Sequence, residues 1–504
     1  MQQTYLFFIF LALELVHSPS GARALRFVAS SDVSKGQGPV VVTAQGPVQG
    51  IYRGSANIFY GIPYAEPPVG SLRWKPPVPK SPWGSTGRTL LGITLPPACP
   101  QVGCTWYTPP RGCINVTSED CLFLNVFTPL NATNLAHLSV MVFIHGGQFT
   151  ILSGASPNWD GEFMASQGNV VVVNFNYRLG ALGFLVTGKQ SDSAQGNYGI
   201  MDQRLAMTWV QKNIKNFGGN PDEVTLFGQS AGGQSVALHF TSEKSNALFK
   251  RAIVESAPFA LPFKNYGAAK LLGDYLADAL GCLREHMACL RNASADQVAW
   301  AAVKVAESVA SLQLLELFEP WGPYVDGKEV LVQPIQAFLT GNYQRKPVMM
   351  GFTSEEAQGF VCDVWNRTLT VLEYKAVLLA TFPEHAAEVF YMYPPLPTDD
   401  QKPRLVTLAT DYLFGCATKA AVESISHSNS PGSEPVWLYV FNRTSSPAGW
   451  GNVTFCYWHV CHGAELTDRE NKVLPGISHG YYTVILHCYI SQHATNRTSY
   501  IQYI

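Results

Sequence analysis

Apolar and polar positions along the chain follow two different periods. MVFIHG (Met141 to Gly146), NVVVVNFNY (Asn169 to Tyr177) and VTLF (Val224 to Phe227) are continuous apolar, β-branched runs, the pattern of strands covered on both faces. Further strands are predicted at Arg251 to Glu255, Val348 to Phe352 and Val436 to Phe441. Between them the period changes. Met201, Leu205, Trp209, Val210, Ile214 and Phe217 keep helical spacing, and Gly218-Gly219 ends that helix. Strands alternating with helices predict an α/β fold built on a doubly wound, mostly parallel sheet. From about Asn265 to Gln344 the pattern is helical and less sheet-like, and is read as an inserted cap.

Composition narrows the class. With 504 residues, 47% of them hydrophobic and 14% charged, the chain can bury a large core and carries no disordered bias. A net charge of -2 gives no reason to expect a nucleic-acid partner or an anionic membrane. Residues 1–24 read as a signal peptide, with an apolar run TYLFFIFLALELV and small residues at Ala22 to Ala24. A membrane anchor is the alternative, but Glu14 and the shortness of the run argue against a span, so none is expected in the mature chain. Seven sequons, at Asn115, Asn131, Asn292, Asn366, Asn442, Asn452 and Asn496, fit a secreted glycoprotein. Eleven cysteines agree with an oxidising compartment. Cys99 with Cys121, and Cys282 with Cys289, are the disulfides expected from local spacing, and the odd count leaves at least one cysteine over. Cys456, His459, Cys461 and His462 are too crowded for a familiar zinc pattern, and no metal is expected.

The candidate chemistry centres on EVTLFGQSAGGQSVALHF, Glu223 to Phe240. A short apolar strand, a glycine-flanked turn at Ser230 and a following helix make a nucleophile elbow, a bend so sharp that only small residues fit at Gly228 and Gly232. GISHG, Gly476 to Gly480, also matches the bare motif around Ser478. Context separates the two. A serine hydroxyl needs a histidine to take its proton and an acid to orient that histidine, in the chain order serine, acid, histidine. No Asp or Glu follows Ser478, whereas Glu355, Glu356 and His462 all follow Ser230.

Several further stretches carry a family resemblance: FYGIPYAEPPVGSLRWKPP, SEDCLFLNVFTP, FIHGGQF, NYRLGALGFL and GNYGIMDQRLAMTWVQKNIKNFGGNP, in this order before the serine. From about Val40 to Leu466 the chain resembles the type-B carboxylesterases, the family that includes cholinesterases. The resemblance implies an α/β-hydrolase fold and hydrolysis of a small-molecule ester; residues 25–504 are taken as one domain carrying the 265–344 cap-like insertion, and the chemistry needs no cofactor. The resemblance also implies Ser230 as nucleophile, His462 as general base and acid, and Glu356 as the orienting acid, with an exchange of roles with Glu355 as the alternative. An oxyanion hole is implied at the backbone N–H groups of Gly147, Gln148 and Ala231. Gln148 stands where the family usually has Gly or Ala.

Two departures bear on function. Choline-ester hydrolases of the family have an acidic residue just before the serine; here that residue is Gln229, and Trp106 is displaced from the place of a choline-stacking tryptophan. A general carboxylesterase is therefore expected over a cholinesterase. Silent adhesion or scaffold relatives are the reading from another class, against which all three triad positions are filled. After Leu466 the chain does not follow the family pattern, so residues 467–504 are expected to form an atypical end that leaves apolar surface near His462 and lowers stability.

Overall fold

The structure, a computed structural model, describes residues 27–29, 38–104, 112–308, 319–427, 434–444, 447–467 and 501–503. The signal-like start, Trp106, Ser478, Asn496 and almost all of the atypical end lie outside the described residues.

Ten strands form one sheet: β1 (Ile51–Arg53), β2 (Ala56–Pro63), β3 (Phe123–Pro129), β4 (Leu138–Ile144), β5 (Val171–Phe175), β6 (Gly219–Gln229), β7 (Arg251–Glu255), β8 (Val348–Thr353), β9 (Val436–Phe441) and β10 (Ile501–Tyr503). Their spatial order is β10-β9-β8-β7-β6-β4-β5-β3-β2-β1. From β10 to β5 every neighbouring pair is parallel. The edge made by β3, β2 and β1 is antiparallel.

The all-apolar strands are explained by cover on both faces. Val140, Val142 and Ile144 of β4 point into one buried cluster with Val171, Val173 and Leu226. Met141 and Phe143 point into the other with Val172 and Phe227. This is the period-two alternation of a strand, apolar on both sides. The first cluster takes in the helices α1 (Tyr198–Asn213) and α2 (Ala231–Phe240). After α1 the chain tightens into a 3₁₀ turn at Ile214–Phe217 and stops at Gly218, whose φ of 89° is open to glycine but strained for other residues.

The stretch 265–344 carries helices at Tyr266–Ala279, Met287–Asn292, Ala295–Ser308 and Pro334–Thr340. The first three pack with Trp74, Leu182, Leu185 and Trp321 around an apolar cluster of their own. A second helical insertion, not anticipated from the hydrophobic pattern, runs between β8 and β9. It comprises α3 (Gln358–Val364), α4 (Val371–Thr381), α5 (Ala386–Met392), α6 (Lys402–Thr410) and α7 (Cys416–Ser426), with a π-helical turn at Asp411–Gly415 between the last two. A small four-stranded sheet of residues 27–29, 40–42, 47–49 and 88–91 was likewise not anticipated.

Candidate active site

Three loops meet at the carboxyl ends of β4, β6 and β8. The first is the turn from β6 into α2. Ser230 there has φ 62° and ψ −126°, a region almost closed to residues with a side chain. Sterics hold it. A Cβ on Gly228 would come within 2.6 Å of the Ile144 carbonyl oxygen, and one on Gly232 would collide with that same oxygen. The Ser230 N–H donates to Glu255 O at 2.9 Å, and the Ser230 carbonyl accepts from Gln234 N at 2.9 Å. Backbone contacts thus fix the bend on both sides.

The second loop leaves β4. Gly147, Gln148 and Phe149 all have positive φ, at 98°, 54° and 57°, which rolls consecutive N–H groups toward one side. The Gly147 carbonyl accepts from Thr150 N at 2.9 Å and Ile151 N at 3.0 Å, whereas among the described residues no partner takes the N–H of Gly147 or Gln148. A Cβ on Gly146 would sit 3.0 Å from Ser230 Cβ, so these N–H groups lie directly against the elbow. Ala231 opens α2, where the first N–H groups of a helix have no intrahelical acceptor. His145 is structural: it donates from Nδ1 to Gly146 O at 2.8 Å and stacks on Tyr177 with centroids 4.4 Å apart. Burial pushes its pKa down to about 4, so it is a neutral ring.

The third loop follows β8 and receives the histidine. Glu356, with no exposed surface, accepts from Thr353 N at 2.7 Å through Oε1 and from His462 Nδ1 at 2.5 Å through Oε2. The neighbouring Glu355 turns the other way, accepting from His459 Nδ1 at 2.9 Å and Val460 N at 2.7 Å. The structure thus sorts the two glutamates, giving Glu356 to His462. Phe360 from α3 and Phe414 from the π-turn flank the His462 ring, each at 5.3 Å. Burial alone would lower the His462 pKa, but the Glu356 carboxylate outweighs it, with Glu465 and Glu319 adding, and the net shift is upward.

The other ring nitrogen is engaged by the residue before Ser230. His462 Nε2 lies 3.1 Å from the amide nitrogen of Gln229. Among the described residues the Ser230 side chain makes no hydrogen bond.

Residues that periodicity does not single out surround this core. Ser256 Oγ donates to Glu465 Oε1 at 3.3 Å, and Gln234 Nε2 donates to Glu319 Oε2 at 3.1 Å. Burial pushes the Glu319 pKa up to about 7. Burial, with the Glu465 charge, pushes that of Glu255 far up, and neither Glu255 carboxyl oxygen has a partner. Among the described residues four disulfides are present: Cys99–Cys121, Cys104–Cys113, Cys282–Cys289 and Cys456–Cys461. The last closes the turn immediately before His462. A cavity of about 560 Å³ lined by Lys250, Arg251, Lys346 and Trp437 opens at the amino ends of β7 to β9, the opposite end of the sheet from this site.

A strained serine turn at the carboxyl edge of a parallel sheet, with a carboxylate-bound histidine delivered by later loops, defines an α/β-hydrolase. The chain belongs to the carboxylesterase family, whose model matches residues 37–467. It is 36% identical over 471 residues to a cAMP-regulated D2 protein of Dictyostelium discoideum, covering 92% of this chain and 82% of that one. It is 34% identical over 460 residues to a liver carboxylesterase of Sus scrofa, covering 84% and 79%. A solved PNB esterase superimposes with a TM-score of 0.74 at 29% identity, covering 93% of this chain and 96% of that one. The chain is accordingly a carboxylic ester hydrolase by family.

Proposed function

We propose that the chain hydrolyses small carboxylic esters through an acyl-enzyme on Ser230, with His462 as base and Glu356 as its orienter. The observation that carries this is the buried Glu356–His462 pair at 2.5 Å beside an elbow that forces Ser230 into the open edge of the sheet. Glu356 accepts the Nδ1 hydrogen, which leaves the Nε2 lone pair to take the Ser230 proton. The serine oxygen attacks the ester carbonyl and its negative oxygen is held by the N–H groups of Gly147, Gln148 and Ala231, each contributing about 3 kcal/mol. The protonated Nε2 then gives its hydrogen to the departing alcohol. Water, deprotonated by the same nitrogen, attacks the acyl carbon, and Nε2 returns that hydrogen to the departing serine oxygen, freeing the acid and restoring the Ser230 hydroxyl.

A general carboxylesterase is favoured over a choline-ester hydrolase because Gln229 puts no negative charge beside the serine. The setting is a secreted glycoprotein. Four disulfides support it. So do the side chains of Asn115, Asn131, Asn292, Asn366, Asn442 and Asn452, which are all exposed as a sugar acceptor must be. Among the described residues no helix is long and apolar enough to cross a membrane.

The test is a panel of aryl and alkyl esters of graded acyl size, run on the secreted protein and on Ser230→Ala. The substitution is expected to lower kcat by about 10⁶-fold while leaving the melting curve in place. Undiminished turnover by that variant removes Ser230 from its role, and inertness of the parent protein toward both the panel and a fluorophosphonate turns the reading to a silent adhesion protein.

A further inference from the structure

We infer that Gln229 is a positioning residue that caps the resting base: its side-chain amide occupies His462 Nε2, and Ser230 must displace it before the hydroxyl can pass on its proton. The inference deepens the proposed function and rests on it.

The argument starts at the other end of the imidazole. Glu356 Oε2 lies 2.5 Å from Nδ1 and can only accept, so Nδ1 carries the hydrogen and a neutral ring presents a bare lone pair at Nε2. The group 3.1 Å from that lone pair is the amide nitrogen of Gln229, a donor. An N–H···N hydrogen bond therefore fills the position that the Ser230 O–H needs, and the serine hydroxyl correspondingly has no hydrogen bond of its own among the described residues. Gln229 is 5% exposed, so water does not readily compete for its amide. Among the described residues no other polar side chain is hydrogen-bonded to Nε2, and Phe360 and Phe414 flank the ring. The charged groups acting on it are Glu356, Glu465 and Glu319.

Residue type matters here. A carboxylate at position 229 could only accept, so it would favour the imidazolium. An amide can donate to the neutral ring and, turned over, accept from the charged one. Gln229 thus favours the neutral ring at rest, against the upward pull of Glu356, and can still stabilise the ion once the serine proton has moved, at the cost of one hydrogen bond broken for each acylation.

Two readouts test it, one of which is independent of serine reactivity. The His462 pKa is measured by imidazole C2–H exchange and mass spectrometry in the full chain, and the rate constant for labelling by a small fluorophosphonate is followed against pH. The variants are Gln229→Met, close in shape without the amide, and Gln229→Glu, with Ser230→Ala as control. Losing the donor removes support for the neutral ring, so Gln229→Met is expected to raise the His462 pKa by about half a unit to one unit. Its plateau labelling should also be faster by roughly two- to tenfold, the factor of one net hydrogen bond. Gln229→Glu is expected to raise the pKa further, by about one unit or more. A His462 pKa unchanged in Gln229→Met overturns the cap, as does unaccelerated labelling in a protein whose labelling depends on Ser230. If the parent protein does not label at all, the proposed function fails, and the His462 pKa alone still decides whether the amide sits on Nε2.

Discussion

The elbow and the histidine loop bring two halves of one site together by opposite means. At the elbow the constraints are steric and main-chain: Gly228 and Gly232 are pressed on the Ile144 carbonyl, and Ser230 is held in its bend by backbone hydrogen bonds on both sides. At the histidine loop the position is set instead by side-chain contacts and a disulfide. His462 is placed by Glu356, about a hundred residues earlier, and by Phe360 and Phe414 of an insertion. The turn leading to it is pinned by Glu355 through His459 and Val460 and closed by Cys456–Cys461. A steric device fails all at once, whereas a device made of several side-chain contacts fails by degrees.

The largest effect is accordingly expected at the elbow. Gly232→Ala drives a methyl into the Ile144 carbonyl with no flexible neighbour to yield. Either the bend opens and Ser230 withdraws, or the fold loses at least about 3 kcal/mol from overpacking. Turnover should fall by on the order of 10⁶-fold, as if the serine were absent, with the melting temperature falling too. Crude activity and a thermal melt check it together, and a variant that keeps both shows the elbow to be looser than the contacts demand.

The two adjacent glutamates give the next sharpest contrast. Glu356→Gln keeps the shape but loses the acceptor that fixes the tautomer, and should lower kcat by about 10⁴-fold. Glu355→Gln removes one pin from a half-exposed loop and should cost at most about tenfold. The pH profile separates them further. The base must be neutral to act, and the Glu356 charge raises its pKa, so activity is lost as pH falls through that raised value. Removing the charge moves the acid limb of the residual activity to lower pH, while Glu355→Gln leaves the limb in place. If Glu355→Gln proves the more damaging of the two, the roles assigned to the pair are reversed.

The same difference explains what was legible in the chain. The strands at Arg251–Glu255 and Val436–Phe441 are bounded as the apolar runs indicate, because burial on both faces leaves its mark in consecutive residues. The Ser230 turn is equally visible, since the glycines it requires are its neighbours. The insertion from Gln358 to Ser426 was missed, and with it Phe360 and Phe414. Its helices are short and partly exposed, so their periodicity is weak, and nothing in the sequence brings Phe414 to His462. Glu465 carried one unused signal, three residues past the histidine in the same apolar turn. Gln229 was noted as a departure from the choline-ester pattern. Its contact with His462 is visible only once the loop after β9 has folded back over the elbow.

The smallest expected effect tests whether the histidine loop really yields by degrees. Cys456 and Cys461 are each 1% exposed and lie with Val460, Ala464 and Leu466 in the apolar layer under the sheet. A double Cys456→Ala, Cys461→Ala variant therefore keeps most of the packing and adds no buried hydroxyl. It removes a link that closes a turn of sequence separation 5, worth about 2 kcal/mol of restricted unfolded chain. The melting temperature should fall by a few degrees. Because His462 is the next residue after Cys461, small displacements of the turn should reach the ring, lowering kcat several-fold with KM nearly constant. Glu355 still grips His459 and Val460 in that variant, so adding Glu355→Gln to it should lower kcat by more than the product of the separate effects, as two pins on one turn must. Independent, multiplying effects would mean that the loop is held mainly by the apolar layer, and that the disulfide serves the unfolded chain rather than the position of the base.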